Sequence, residues 1–101
     1  MSGRYRITLG RGLVVIVQWV TNRREVVDYS VVLAVEEGAE THTVRVYDGA
    51  HGVNELHRYT RRSGKAAAEI FHRGTLGDGM RAALAEVDAN HEAILDGWSR
   101  S

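Results

Sequence analysis

Ionisable and hydroxyl-bearing side chains cluster in the middle of the chain. We predict that eight of them form a site: Arg45, Tyr47, Asp48, His51, Glu55, His57, Arg58 and Tyr59. Cleavage of RNA without a metal needs a base for the 2′-hydroxyl proton and an acid for the leaving 5′-oxygen. It also needs a fixed cation for the charge that develops on the phosphorane. These residue types supply all three roles, so the cluster predicts acid–base chemistry on a phosphodiester.

Each role has two candidates. The base is His57 or Glu55, the acid is His51 or Tyr47, and the cation is Arg45 or Arg58. We take His51, His57, Tyr47 and Arg45 as the catalytic set, and Arg58, Tyr59, Asp48 and Glu55 as the substrate-binding set. The alternative is a solvated sheet face whose charges form cross-strand ion pairs, such as Arg45 with Glu55.

A flexible loop carries the first histidine of this region. Glycines flank His51 in the segment Asp48-Gly49-Ala50-His51-Gly52, and Asp48 could orient its imidazole. A divalent metal on His51, His57 and Asp48 is an alternative, but their spacing matches no established metal signature. We therefore predict no metal and no other cofactor.

Turn signals divide most of the chain into short strands rich in β-branched residues. The predicted strands are Arg4–Leu9, Leu13–Val20, Val26–Val35, Thr41–Asp48, Glu55–Arg61 and Lys65–His72. A capping box at Thr75 and Asp78 then predicts a helix that runs to about Asp96. Its apolar stripe consists of Met80, Ala83, Leu84, Val87, His91, Ile94 and Trp98. The pattern predicts an α+β fold, in which an antiparallel sheet of about five or six strands packs against one long C-terminal helix.

Strand pairing decides which of these side chains meet. A two-residue turn at Ser63–Gly64 predicts the pairs Glu55 with His72, His57 with Ile70 and Tyr59 with Ala68. The preceding hairpin is expected to pair Arg45 with His57 and Tyr47 with Glu55. Alternation then places an apolar set under the helix: Val44, Val46, Leu56, Phe71, Tyr29, Val31, Leu33 and Val35. The other face would hold Arg45, Tyr47, Glu55, His57, Tyr59, Arg61 and His72. We therefore expect His51, His57, Tyr47 and Arg45 to converge on one pocket.

Length and composition limit the function classes. The chain has 101 residues, which predicts a single domain over 1–101. It has no cysteine, which excludes disulfides and thiolate metal sites and fits a reducing cytoplasm, where we expect the protein. No apolar run approaches the roughly 18 residues that a membrane span needs, so no membrane partner is expected. The 13 basic and 13 acidic residues cancel, so no global field recruits nucleic acid.

The central motif resembles a known toxin family. The segment Val44-Arg45-Val46-Tyr47-Asp48-Gly49-Ala50-His51-Gly52, followed by His57-Arg58-Tyr59, is similar to the core motif of the TumE-type bacterial toxins. It departs from that motif in the position of Val46 and in the four residues 53–56, which delay the second histidine. The resemblance implies one half of a toxin–antitoxin pair, with Tyr47, Asp48, His51 and His57 as functional residues.

We therefore predict a bacterial or phage toxin-like ribonuclease. Its expected partners are an antitoxin protein and RNA, and a homodimer is a candidate assembly. The alternative is a non-enzymatic protein-interaction module, such as an accessory protein of a phage or mobile element. Neutral net charge favours that alternative, because most RNA-binding domains carry excess positive charge. The clustered ionisable residues favour the enzyme.

Overall fold

The fold is an antiparallel sheet covered on one face by a single helix. The computed structural model describes all 101 residues. The strands are β1 Ser2–Thr8, β2 Leu13–Asn22, β3 Glu25–Glu37, β4 Glu40–Asp48, β5 Asn54–Thr60, β6 Gly64–Lys65 and β7 Glu69–His72, and the helix is α1 Leu76–Ser99. Each strand from β2 to β6 pairs with the one before it, and β7 returns to pair with β5. The predicted α+β class and C-terminal helix are thus confirmed.

The strands form where β-branched residues are dense, and tight turns separate them. Between β2 and β3 the turn is made by Arg23 and Arg24, whose φ angles are 52° and 68°. Positive φ at both positions matches the right-handed twist of a two-residue hairpin, although asparagine and glycine adopt it more readily than arginine does.

The core lies between α1 and the central strands. α1 packs against β3, β4, β5 and β7, and it contributes Ala83, Val87, Leu95 and Trp98 to the buried cluster. The sheet contributes Leu13, Val15, Val17, Tyr29, Val31, Leu33, Val35, Val44, Tyr47 and Leu56. The predicted helix stripe is close to the observed one, although Leu95 is more buried than its neighbour Ile94. α1 is not apolar enough to span a membrane.

One buried amide fixes the start of the helix against the sheet. Thr75 caps α1 as predicted, because its hydroxyl accepts from the Asp78 backbone N–H at 3.1 Å. Asn54 lies beneath this first turn with 1% of its surface exposed. A β-carbon on Gly79 would lie 1.8 Å from the Asn54 side-chain oxygen, so only glycine allows this approach. Asn54 therefore sets how closely the helix N-terminus packs on β5.

The predicted pairing of β4 with β5 was wrong by one residue. Arg45 lies opposite Arg58, rather than His57, and Tyr47 lies opposite Leu56, rather than Glu55. The pairing of β4 with β3 is also irregular, since Leu33 pairs with Arg45 while Ala34 pairs with Thr43. Val44 is thus an extra residue in a β-bulge. Val44 and Arg45 both point towards α1, and the alternation is reversed from there on.

The last predicted strand is divided in two. Residues 66–68 leave the sheet between β6 and β7, so that Tyr59 pairs with Lys65 and not with Ala68. β7 is also shifted: Asn54 pairs with His72, and Glu55 with Ile70. The predicted two-residue turn was wrong because Thr60 pairs with Gly64, which leaves three residues in the turn. The Thr60 hydroxyl stabilises that turn by accepting from the Ser63 N–H at 2.9 Å.

Candidate active site

The bulge in β4 separates the eight predicted site residues into two groups. The first group lies on the open face of the sheet and is called the open-face cluster: Asp48, His51, Glu55 and His57. The second lies on the side of α1 and is called the helix-side group: Arg45, Tyr47, Arg58 and Tyr59. The predicted convergence of both catalytic histidines with Arg45 and Tyr47 on one pocket was therefore wrong.

The open-face cluster contains an exposed histidine that is oriented by a carboxylate. His51 Nδ1 lies 2.5 Å from Glu55 Oε1, and the imidazole is 75% exposed whereas the carboxylate is only 14% exposed. Nε2 of His51 makes no hydrogen bond within the protein and is free to meet a ligand. Glu55 raises the pKa of His51, first through the hydrogen bond and then through its charge, while the positive charge of Lys65 opposes the shift. The geometry is that of a histidine prepared for proton transfer.

We expect Glu55→Gln to lower the pKa of His51, because glutamine keeps the shape of the side chain but removes its charge. An NMR titration of the imidazole protons measures the change, and Glu92→Gln on the exposed face of α1 is the control. The raised pKa in the folded state means that this pair stabilises the fold below the unfolded pKa of His51. That contribution is lost as pH rises through the folded pKa. An unchanged pKa in Glu55→Gln would show that the pair does not form.

The second histidine of the open-face cluster is buried beside its own carboxylate. His57 Nε2 lies 3.3 Å from Asp48 Oδ2, with the two side chains 10% and 17% exposed. Nδ1 of His57 is buried and has no hydrogen-bond partner. Nε2 is therefore paired with Asp48, and Nδ1 is shielded from solvent. Asp48 Oδ1 accepts from the Ala50 N–H at 3.2 Å, which fixes the loop that leads to His51. His57 thus positions the Asp48 carboxylate, and Asp48 in turn fixes the loop through its hydrogen bond to Ala50.

The two carboxylates of the cluster are direct cross-strand neighbours. Asp48 lies opposite Glu55, and on its other side it lies opposite Ser30, which in turn lies opposite Gln18. A polar row thus crosses four strands of the open face. An open cleft of about 540 Å³ borders Asp48 at this row. A small polar ligand would meet the amide of Gln18 and the hydroxyl of Ser30 there.

The sequence analysis did not assign Gln18, Ser30 or Lys65 to the site. The signal was present for the first two, because each interrupts an otherwise apolar strand, at Val17-Gln18-Trp19 and Tyr29-Ser30-Val31. Lys65 is one of four basic residues, excluding histidines, between positions 51 and 65, and nothing in the sequence distinguishes it from the other three. Its approach to His51 depends on the turn after β5, which pattern does not predict.

The helix-side group is engaged in contacts that join β4 to α1 and join β4 and β5 to β7. Arg45 donates to the Tyr47 hydroxyl at 3.2 Å and to Glu86 of α1 at 3.1 Å. Tyr47 is fully buried, its burial raises its pKa, and its ring meets Phe71 edge-on at 5.1 Å. Arg58 pairs with Glu69 at 3.0 Å. Tyr59 lines a cleft beside Arg45 and Glu86. These contacts give the helix-side group a structural role.

No group of three or more histidine, cysteine, aspartate or glutamate side chains is arranged to hold a metal ion. The open-face cluster is built from two carboxylate–histidine pairs, and the two carboxylates, Asp48 and Glu55, lie directly opposite each other on β4 and β5. Comparison of the chain with family models, with curated proteins and with solved structures finds no match.

Proposed function

We propose that the protein is a toxin-like, metal-independent endoribonuclease whose active site is the open-face cluster. The observation that carries the proposal is the His51–Glu55 pair, in which a semi-buried carboxylate orients an exposed imidazole and leaves Nε2 free. A second carboxylate, Asp48, lies at the adjacent register position and borders a polar cleft. One exposed acid beside one carboxylate base is the minimum that transesterification of RNA requires.

Each group has a definite role in the proposed reaction. Asp48 accepts the proton of the ribose 2′-hydroxyl, whose oxygen attacks phosphorus and forms the 2′-O–P bond. The P–O5′ bond breaks, and protonated His51 gives its proton to the leaving 5′-oxygen. The products are a 2′,3′-cyclic phosphate and a free 5′-hydroxyl. Lys65, which forms no salt bridge, offers its ammonium to the phosphorane charge.

His57 has a different role from the one expected for it. Its nitrogens are occupied by Asp48 or buried, so it acts as a positioning residue that orients the Asp48 carboxylate. Arg45 and Tyr47 support the site only by holding α1 against β4. In the proposed reaction, His51 is therefore the proton donor and Asp48 the proton acceptor.

Local positive charge favours a nucleic-acid backbone as the ligand, and the 2′-hydroxyl that attacks phosphorus restricts the proposed reaction to RNA. Arg62 in the turn after β5 and Lys65 in β6 are both exposed, in a chain whose total charge is zero. Lys65 is close enough to His51 to act on its pKa, and together with Arg62 it offers positive charge to a phosphate backbone.

The test is cleavage of a fluorescent single-stranded RNA in the presence of a chelator. We expect fragments that end in a 2′,3′-cyclic phosphate. An otherwise identical oligonucleotide with one 2′-deoxy sugar should resist cleavage at that position alone. Equal cleavage of an all-DNA strand would contradict the proposed chemistry. Absence of cleavage, together with normal growth of cells that express the chain, would contradict the toxin-like function.

The second candidate is a protein-interaction module, and a specific observation favours it. Tyr5 and Ile7 are 37% and 44% exposed on the outer strand, beyond the reach of α1. Exposed apolar side chains at a free sheet edge are typical of a surface that binds another chain. The RNA assay separates the two candidates, since an interaction module alone leaves RNA intact.

A further inference from the structure

β1 is a free strand at one edge of the sheet. It pairs with β2 on one side and with no strand on the other. α1 lies against β3, β4, β5 and β7, so it does not cover this edge. The outward backbone N–H and C=O groups of β1 are therefore available to another extended chain.

The side chains of β1 divide sharply between its two faces. The side shared with α1 carries Tyr5 and Ile7, and Tyr5 meets the ring of Trp19 edge-on with centroids 5.7 Å apart. A β-carbon on Gly3 would lie 2.2 Å from that ring, so the indole lies directly over the strand. Tyr5, Ile7 and Trp19 form an apolar shelf that continues past the helix. The opposite side carries Arg4 and Arg6.

This charge pattern opposes pairing with a second copy of the chain. In an antiparallel pair about a twofold axis, each side chain stays on its own face. If the twofold axis passes through Tyr5, Arg4 of each copy lies opposite Arg6 of the other. If it passes through Arg4 or Arg6, that arginine lies opposite the same arginine of the other copy. Every such register that joins five or more residues of β1 thus brings like charges together. Like charges directly opposite each other destabilise a sheet.

We propose that the β1 edge binds an extended segment of another protein by strand addition. The complementary segment carries acidic residues at alternate positions, opposite Arg4 and Arg6, and apolar residues between them, over Tyr5 and Ile7. Arg4 forms no salt bridge within the chain, and Arg6 makes one half-exposed pair with Glu36 at 3.1 Å. Backbone hydrogen bonds supply affinity in this mode, and the alternating side chains supply specificity.

The probe is a fluorescent peptide of alternating glutamate and valine, long enough to span residues 2–8. Fluorescence anisotropy should show saturable binding to the wild-type protein. The double variant Arg4→Glu/Arg6→Glu should bind it roughly tenfold more weakly or worse, because two attractive pairs become repulsive. The same variant should instead bind a lysine–valine peptide. Circular dichroism verifies that both variants and wild type share one fold.

Two controls separate strand addition from general attraction of charge. Arg62→Glu/Arg100→Glu makes the same change in net charge away from β1 and should leave binding intact. A glutamate–valine peptide that is N-methylated at alternate residues should not bind, because it cannot complete the ladder. Equal binding of the methylated peptide would overturn the proposal. So would equal loss in the control variant, or disulfide-linked dimers of a Tyr5→Cys variant, which would show that β1 pairs with a second copy of the chain.

Discussion

Asn54→Asp is expected to lower the free energy of unfolding by about 3 to 5 kcal/mol, because it places an uncompensated charge in the core. The Asn54 amide nitrogen donates to the carbonyl oxygens of His72, Gly74 and Thr75, at 3.2 to 3.3 Å. Its oxygen accepts from the Tyr29 hydroxyl at 2.8 Å. Aspartate replaces the amide nitrogen with a second oxygen, so the three carbonyl oxygens lose their hydrogen-bond donor.

Thermal and urea denaturation measure the loss, which corresponds to a fall in Tm on the order of 12 °C or more for a domain of this size. Asn22→Asp, at the exposed end of β2, is the matched control and should change stability by less than about 0.5 kcal/mol. Burial raises the pKa of the new carboxyl at position 54. Its penalty relative to wild type should therefore shrink as pH falls and the carboxyl becomes protonated. A variant as stable as wild type would show that Asn54 does not fix the helix.

His51→Ala is expected to reduce RNA cleavage by about 10²- to 10⁴-fold, which is the usual contribution of a positioned acid or base. The fold should be unaffected, because the imidazole is 75% exposed and its one hydrogen-bond partner is Glu55. The rate of the wild type should fall as pH rises through the pKa of His51, since the protonated form is the donor. Glu55→Gln should move that fall to lower pH by removing the charge that raises the pKa.

His91→Ala is the control, because its imidazole lies on α1 and is bonded to the Val87 carbonyl. It should keep wild-type activity. His57→Ala tests the positioning role: it should reduce the rate without moving the pH at which activity falls. Full activity in His51→Ala would assign proton transfer to another group. A wild type without activity would instead direct attention to the free edge at β1.

The sequence predicted the elements of the fold well, because each element is encoded locally. The β-branched runs predicted the first five strands to within a few residues, and Thr75 with Asp78 predicted the helix start. The relative positions of the strands were not predictable in the same way. Nothing in the pattern around Val44 marks it as the extra residue of a bulge. A bulge depends on how β4 meets its neighbour, and one inserted residue exchanges the two faces.

The same difference between local contacts and contacts that depend on strand register applies to the candidate site. His51 and Glu55 are four residues apart in a loop and the strand that follows it, and their contact depends little on long-range register. Arg45 and Tyr47 depend on the bulge, and they lie under α1 instead of beside His57. Lys65 reaches the site through a three-residue turn that is held by side chains at Thr60 and Ser101. The sequence analysis placed both His51 and Glu55 in the site, but it named Asp48, and not Glu55, as the residue that could orient His51.

The order of elements also has a consequence for synthesis on the ribosome. All seven strands precede α1, which alone covers Val31, Leu33 and Leu56. The meander can pair strand by strand as it emerges, since each hairpin joins neighbours in sequence. Its apolar face remains open until the 24 residues of α1 follow, a delay of about 1 to 5 s at ordinary translation rates. During that interval the nascent sheet is the form of this protein most exposed to chaperones and to aggregation.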